Sequence, residues 1–138
     1  MPHRPAIVEL GRGAPIAVTI LVADDFEPLR LSIRSLLERK TEWQIIEACD
    51  GFEAVQKAAK LHPTVVLLDI SMPGMNGIEA AKRIRQVSPQ SILVFVSENT
   101  DQDVIAAALQ TGAAGYVLKR HMTAQLVAII QMALGVPS

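Results

Sequence analysis

Asp24, Asp25, Asp69, Ser97 and Lys119 have chemically complementary side chains, and each follows a short apolar run. The runs are Ile20 to Ala23, Val65 to Leu68, Ile92 to Val96 and Tyr116 to Leu118. Carboxylates gathered within a few ångströms repel one another, so such a group either takes up protons or surrounds a cation. The cation is the less costly answer, and every donor in this set is a hard oxygen. His3, His62 and His121 stand apart, none at metal-ligand spacing, which selects magnesium or manganese over zinc. A carboxylate beside such an ion, faced by an ammonium and a hydroxyl, meets the needs of phosphoryl transfer to an aspartate. Asp69 would attack, Lys119 would offset the phosphoryl charge, and Ser97 would hydrogen-bond a phosphoryl oxygen, leaving an acyl phosphate.

Taken singly, most of these residues have plainer readings. Asp25 precedes Phe26-Glu27-Pro28 and suits a helix N-cap, with the proline tolerated in the first turn. Ser97 reads as a turn hydroxyl, Lys119 as a solvated lysine, and Tyr116 as half-buried packing. Asp69 resists this treatment. In "VVLLDISMPGMNG" the Pro73-Gly74 pair delays the next helix until about Gly77, too late for Asp69 to cap it. Met72 and Met75 read as loop and core packing, and Trp43 as packing at the start of a strand.

The elements that must position these groups alternate regularly. Strand-like runs at Ile20 to Ala23, Gln44 to Ala48, Val65 to Leu68, Ile92 to Val96 and Tyr116 to Leu118 are interleaved with one-sided helical patterns. Those patterns are carried by Leu29, Ile33, Leu36 and Leu37; by Ala54, Ala58 and Leu61; by Ile78, Ala81 and Ile84; and by Leu126, Ile129, Ile130 and Ala133. A weaker one, Asp101 to Thr111, is stopped by Gly112. Alternation of this kind predicts parallel strands with right-handed crossovers, hence an open α/β sandwich with helices on both faces. A four-helix bundle fits poorly, because the apolar runs are short, rich in Val and Ile, and bounded by Asp, Pro and Gly. In an open parallel sheet the carboxyl ends of all strands share one edge, so the polar residues converge there.

The chain has 138 residues, half of them apolar, which suits one domain. Its 13 basic and 14 acidic residues are scattered, and no basic stripe suggests direct binding to nucleic acid. The single cysteine, Cys49, reads as a buried thiol in a reducing, cytoplasmic protein. Ile16 to Ala23, the longest apolar run, is too short to span a bilayer. Residues 1–15, with three prolines and two glycines, read as a flexible extension; residues 16–134 are the domain, and 135–138 a tail or the start of a linker.

From about Ala17 to Ala133 the chain resembles the receiver domain of two-component response regulators. The likeness rests on the acidic pair after the first strand, "LLDISMPGMNG", the hydroxyl residue after the fourth strand and "GYVLK". The stretch "SENTDQDVIAAALQTGAAGYVLKRHMTAQLVAII" is similar to receivers of the NarL/FixJ type. The resemblance implies a flavodoxin-like sheet of order 2-1-3-4-5 and phosphorylation of Asp69 by a sensor histidine kinase. It also implies a Mg2+ (or Mn2+) site formed by Asp24, Asp25, Asp69 and the main-chain carbonyl of Ser71. Lys119 would contact the phosphoryl group, and Ser97 and Tyr116 would form a switch. The domain would have no separate substrate of its own. A helix-turn-helix DNA-binding domain in a longer parent chain is implied as well, and a homodimer stays open.

Two positions depart from the pattern: Arg120 stands where many receivers have a proline after the lysine, and Glu98 replaces a small residue beside Ser97. They are the only support for a second reading, an unphosphorylated docking module. An aspartate-dependent phosphatase would need a second Asp where Ser71 stands. A flavin site would need backbone N-H groups and hydroxyls where "DDFEP" offers carboxylates.

Overall fold

In a computed structural model, residues 7–9, 15–40 and 42–135 are described. The chain first forms β1 (Ile7–Glu9) and β2 (Pro15–Ala17), which pair antiparallel. There follow β3 (Thr19–Ala23), α1 (Glu27–Lys40), β4 (Gln44–Ala48), α2 (Gly51–Leu61), β5 (Val65–Leu68) and α3 (Gly77–Val87). The chain continues through β6 (Ile92–Ser97), α4 (Gln102–Gln110), β7 (Gly115–Leu118), a 3-10 turn (Lys119–His121) and α5 (Met122–Leu134). Strands β3 to β7 make one wholly parallel sheet of order β4-β3-β5-β6-β7, which is 2-1-3-4-5 when these five are counted alone. The order expected from the sequence is the order found. The β1-β2 pair was not anticipated; the rest of the expected N-terminal extension, His3 within it, and residues 136–138 lie outside the described residues.

Each strand of the sheet interior feeds both layers. Ile20 and Val22, Val65 and Leu67, and Val94 and Val96 face α1 and α5, where Ile33, Leu37, Leu126, Ile130 and Leu134 complete a core that also buries Trp43. Their neighbours Leu21 and Ala23, Val66 and Leu68, and Leu93 and Phe95 face α2, α3 and α4. Strands apolar at every position are therefore what a sheet covered on both sides requires. The second layer meets the sheet with alanines, Ala54 and Ala58 on α2, Ala80 and Ala81 on α3, and Ala108 on α4, so these helices approach closely. Met72 and Met75 are buried in the same layer, as core packing.

Helix ends follow local signals. Asp50, Asn76 and Asp101 cap α2, α3 and α4, each carboxylate or amide oxygen accepting a backbone N-H of the first turn. Cys49 is exposed, not buried as its apolar surroundings suggested, because β4 has ended at Ala48 and the chain is already turning toward Asp50. No helix among the described residues is long and apolar enough to cross a membrane.

The β5-α3 connection leaves little room. Gly77 N-H donates to the Ile70 carbonyl at 2.8 Å, and a Cβ at position 77 would overlap the carbonyl oxygen of Asp69. Gly74 adopts φ +80°, the left-handed turn that a glycine accommodates without strain. Gly77→Ala is expected to cost roughly 3 kcal/mol, the upper end of overpacking penalties. Urea denaturation measures the loss; an unchanged midpoint would contradict the close approach.

Candidate functional site

The five chemically apt residues do converge. Ladder hydrogen bonding continues one residue past the strands: Asp24 N-H donates to the Ala48 carbonyl (3.2 Å) and Asp69 N-H to the Ala23 carbonyl (3.0 Å). Both acids are thus locked to the carboxyl edge of the sheet by their backbones. One carboxylate oxygen from each of Asp24, Asp25 and Asp69 lies within 4.8 Å of the others. Asp24 and Asp69 are only 2 % and 5 % exposed, whereas Asp25 is open to solvent.

Lys119 joins the two buried acids. Its Nζ lies 3.0 Å from Asp24 Oδ2 and 3.1 Å from Asp69 Oδ2, and its side chain is 14 % exposed. The solvated reading of this lysine therefore fails. The 3-10 turn Lys119–His121 carries the chain directly into α5, and Arg120, where a proline is often found in receivers, lies exposed within that turn.

The capping reading of Asp25 moves to its neighbour. Asp24 Oδ1 accepts the Phe26 N-H at 2.8 Å and shapes the turn into α1, while Asp25 projects from the same turn into the cleft. Asp25, Phe26, Asp69, Ser71, Ser97, Glu98, Asn99 and Lys119 line that cleft, of about 260 Å³. Ser97 Oγ is buried and accepts the Asn99 N-H at 3.1 Å. Tyr116, half-buried and stacked near Phe95 with ring centroids 6.1 Å apart, donates its hydroxyl to the Asn99 carbonyl at 2.8 Å. Asn99 thus links Ser97 to Tyr116 through its own peptide groups. Nothing in the sequence marks it, because a backbone role leaves no side-chain signature.

Three carboxylates facing one ammonium leave negative charge uncompensated in a partly dry site. Burial, and then the charge of Asp24, push the Asp69 carboxyl up to about 6, against the opposing pull of Lys119 and the Ile70 backbone N-H. For Lys119, burial alone would lower the pKa, but hydrogen bonding to Asp24 and the charges of Asp69 and Asp24 outweigh it and hold the ammonium above the usual lysine value. The lysine is firmly charged, and it does not satisfy the acids. An all-oxygen donor set with surplus negative charge fits a hard divalent cation of the kind held by receiver domains.

A profile of the response regulator receiver domain matches residues 20–131. The chain belongs to that family. It is 37 % identical over 118 residues to the transcriptional regulatory protein LiaR of Bacillus subtilis (strain 168), covering 84 % of this chain and 56 % of LiaR. Over 103 residues it is 39 % identical to the nitrate/nitrite response regulator protein NarL of Escherichia coli (strain K12), covering 73 % and 47 %. The signal receiver domain of the putative response regulator NarL from Mycobacterium tuberculosis superposes with a TM-score of 0.80 at 28 % identity, covering 86 % of this chain and 96 % of that one. The resemblance to receivers of the NarL/FixJ type is borne out by these relatives. This receiver spans about half the length of the curated regulators it matches.

The raised Asp69 pKa sets a sign. The native state holds this proton more tightly than the unfolded chain, so without metal the site's contribution to stability is greatest below pH 4 and is lost as pH rises toward about 6. Asp69→Asn should therefore raise stability at pH 7.5 in EDTA by roughly 1–3 kcal/mol, given about 1.4 kcal/mol per pKa unit. Thermal denaturation at pH 4.5 and 7.5 tests this, and a destabilised variant at the higher pH would contradict it.

Proposed function

We propose that this receiver is phosphorylated on Asp69 by a sensor histidine kinase and controls a transcriptional output carried by a DNA-binding domain in a longer, cytoplasmic parent chain. The observation that carries the reading is the contact of Lys119 Nζ with both buried acids inside a cleft that also holds Ser97. An acceptor, a fixed cation and a hydroxyl are gathered where a phosphoryl group would fit.

In the transfer, the N-P bond of a phosphohistidine breaks as an Asp69 carboxylate oxygen forms the new O-P bond, and the electron pair returns to the departing imidazole, which then takes up a proton. Asp24, Asp25, Asp69 and the Ser71 carbonyl would hold Mg2+, or Mn2+, which when bound offsets charge on the phosphoryl oxygens. Lys119 is already charged and needs no proton adjustment before it contacts a phosphoryl oxygen. Ser97 receives the Asn99 N-H, so its own O-H proton is available to donate toward the group on Asp69. Such a bond would draw Ser97 inward, and Asn99, whose carbonyl holds the Tyr116 hydroxyl, would pass the shift to β7. The phosphorylated population would then present a different α4-β7-α5 face to its partner.

Incubation with Mg2+ and a small phosphodonor, read by intact mass, is expected to show one added phosphoryl group that Asp69→Asn abolishes and Ser97→Ala retains. No adduct with any donor would leave the unphosphorylated docking role instead. Glu98 lines the cleft beside Ser97 and places a further carboxylate in the path of an anionic donor. Glu98→Ala should speed labelling by acetyl phosphate several-fold at low ionic strength, an advantage that salt erodes; a slower variant would argue against electrostatic hindrance.

A further inference from the structure

We infer that Arg30 is a positioning residue for the acidic loop: its guanidinium clamps the peptide joining Asp24 to Asp25 and thereby directs the Asp25 carboxylate into the cation site. The inference rests on the cation role given above to Asp24, Asp25 and Asp69. Arg30 lies on α1 with its side chain only 12 % exposed. Nη1 donates to the Asp24 carbonyl oxygen at 2.7 Å, and Nε donates to Glu47 Oε1 on β4 at 3.1 Å. The other oxygen of Glu47 accepts from Arg34 Nη1 at 2.9 Å, and Glu27 Oε2 stands 3.8 Å from Arg30 Nη2. The guanidinium is thus pinned between a helix and a strand, with one arm committed to the acidic loop.

The two acids differ in what else restrains them. The Asp24 side chain is held by the Phe26 N-H and by Lys119. Asp25 is exposed and its side chain has no hydrogen-bond partner among the described residues, so its preceding peptide is the point at which the protein holds the backbone that carries this carboxylate. That peptide is the one whose carbonyl Arg30 grips. A fork of planar donors can bind a carbonyl and a carboxylate at once; a lysine cannot reproduce both contacts.

The opposite sign is predicted by simple charge. A positive group near a cation site repels the cation, so removing it should tighten metal binding. Loss of a clamp on a ligand-bearing peptide should weaken it, by about tenfold when compared with other outer contacts to metal ligands. The decisive experiment titrates Mg2+ and Mn2+ by calorimetry into the wild type, Arg30→Met, Arg30→Lys, Asp25→Asn and the Arg30→Met/Asp25→Asn double variant. Melting in EDTA verifies that each is folded.

Arg30→Met is expected to bind about tenfold more weakly, Arg30→Lys to be weakened in the same direction, and Asp25→Asn to be weakened too. The double variant should be little worse than Asp25→Asn, because the clamp acts through that carboxylate. Unchanged or tighter binding in Arg30→Met, with Asp25→Asn weakened, would overturn the positioning role and leave the cation site standing. Fully additive losses would overturn it also, by showing a general structural effect. Should Arg30→Met not fold, Arg30→Lys decides by the same criterion. Unaltered binding in Asp25→Asn would remove the cation role itself, and the Arg30 inference with it.

Discussion

Asp24, Asp25 and Asp69 carry more negative charge than Lys119 balances, and the remainder of the site is arranged around that excess. Two of the acids are nearly inaccessible, so water does little to relieve their repulsion. Burial first, and then the charge of Asp24, raise the pKa of Asp69, and the raised pKa of Lys119 shows the acids' field from the cation's side. A pocket in this state favours anything that brings positive charge. Stability is given up where the acidic side chains meet, a pattern common at functional sites.

Such repulsion must be opposed by something stiff, and here it is the backbone. Asp24 and Asp69 are tied into the ladder by their N-H groups, so neither can retreat without breaking parallel pairing. Behind Asp69, Gly77 brings the start of α3 against the Asp69 carbonyl, closing the space into which the loop would otherwise relax. In front, Arg30 grips the Asp24 carbonyl from α1, with Glu47 holding the guanidinium from β4. Three elements on three sides thus hold one constellation, and each does so through main-chain contacts.

A connection also runs outward from the site. Ser97 and Tyr116 both bond to Asn99, one to its N-H and the other to its carbonyl, so one residue joins the two side chains. Helix α4 begins just beyond Asn99, capped by Asp101. It is short, buries only Ala108, and is therefore less firmly seated than α2 or α3, each of which buries three or four residues against the sheet.

Much of this was legible in the chain itself. Short Val- and Ile-rich runs apolar at every position, one-sided helical periodicity and stops such as Gly112 determine the elements, because these are local requirements of backbone and solvent. The parallel sheet then obliges polar residues after each strand to share an edge, so topology alone brings Asp24, Asp25, Asp69, Ser97 and Lys119 together. What local pattern could not supply was the use made of each group once neighbours from distant sequence arrived. Asp24 rather than Asp25 shapes the turn into α1; Cys49 is exposed because the strand stops one residue earlier; β1 and β2 pair within a stretch that showed no periodicity. Lys119 becomes a buried ion-pair partner across fifty residues, and Arg30 and Asn99 gain their roles through carbonyls and N-H groups that every residue carries. Side-chain identity is written in the sequence, but peptide groups are chemically alike, and only tertiary packing decides which of them meets a guanidinium, a hydroxyl or an acid.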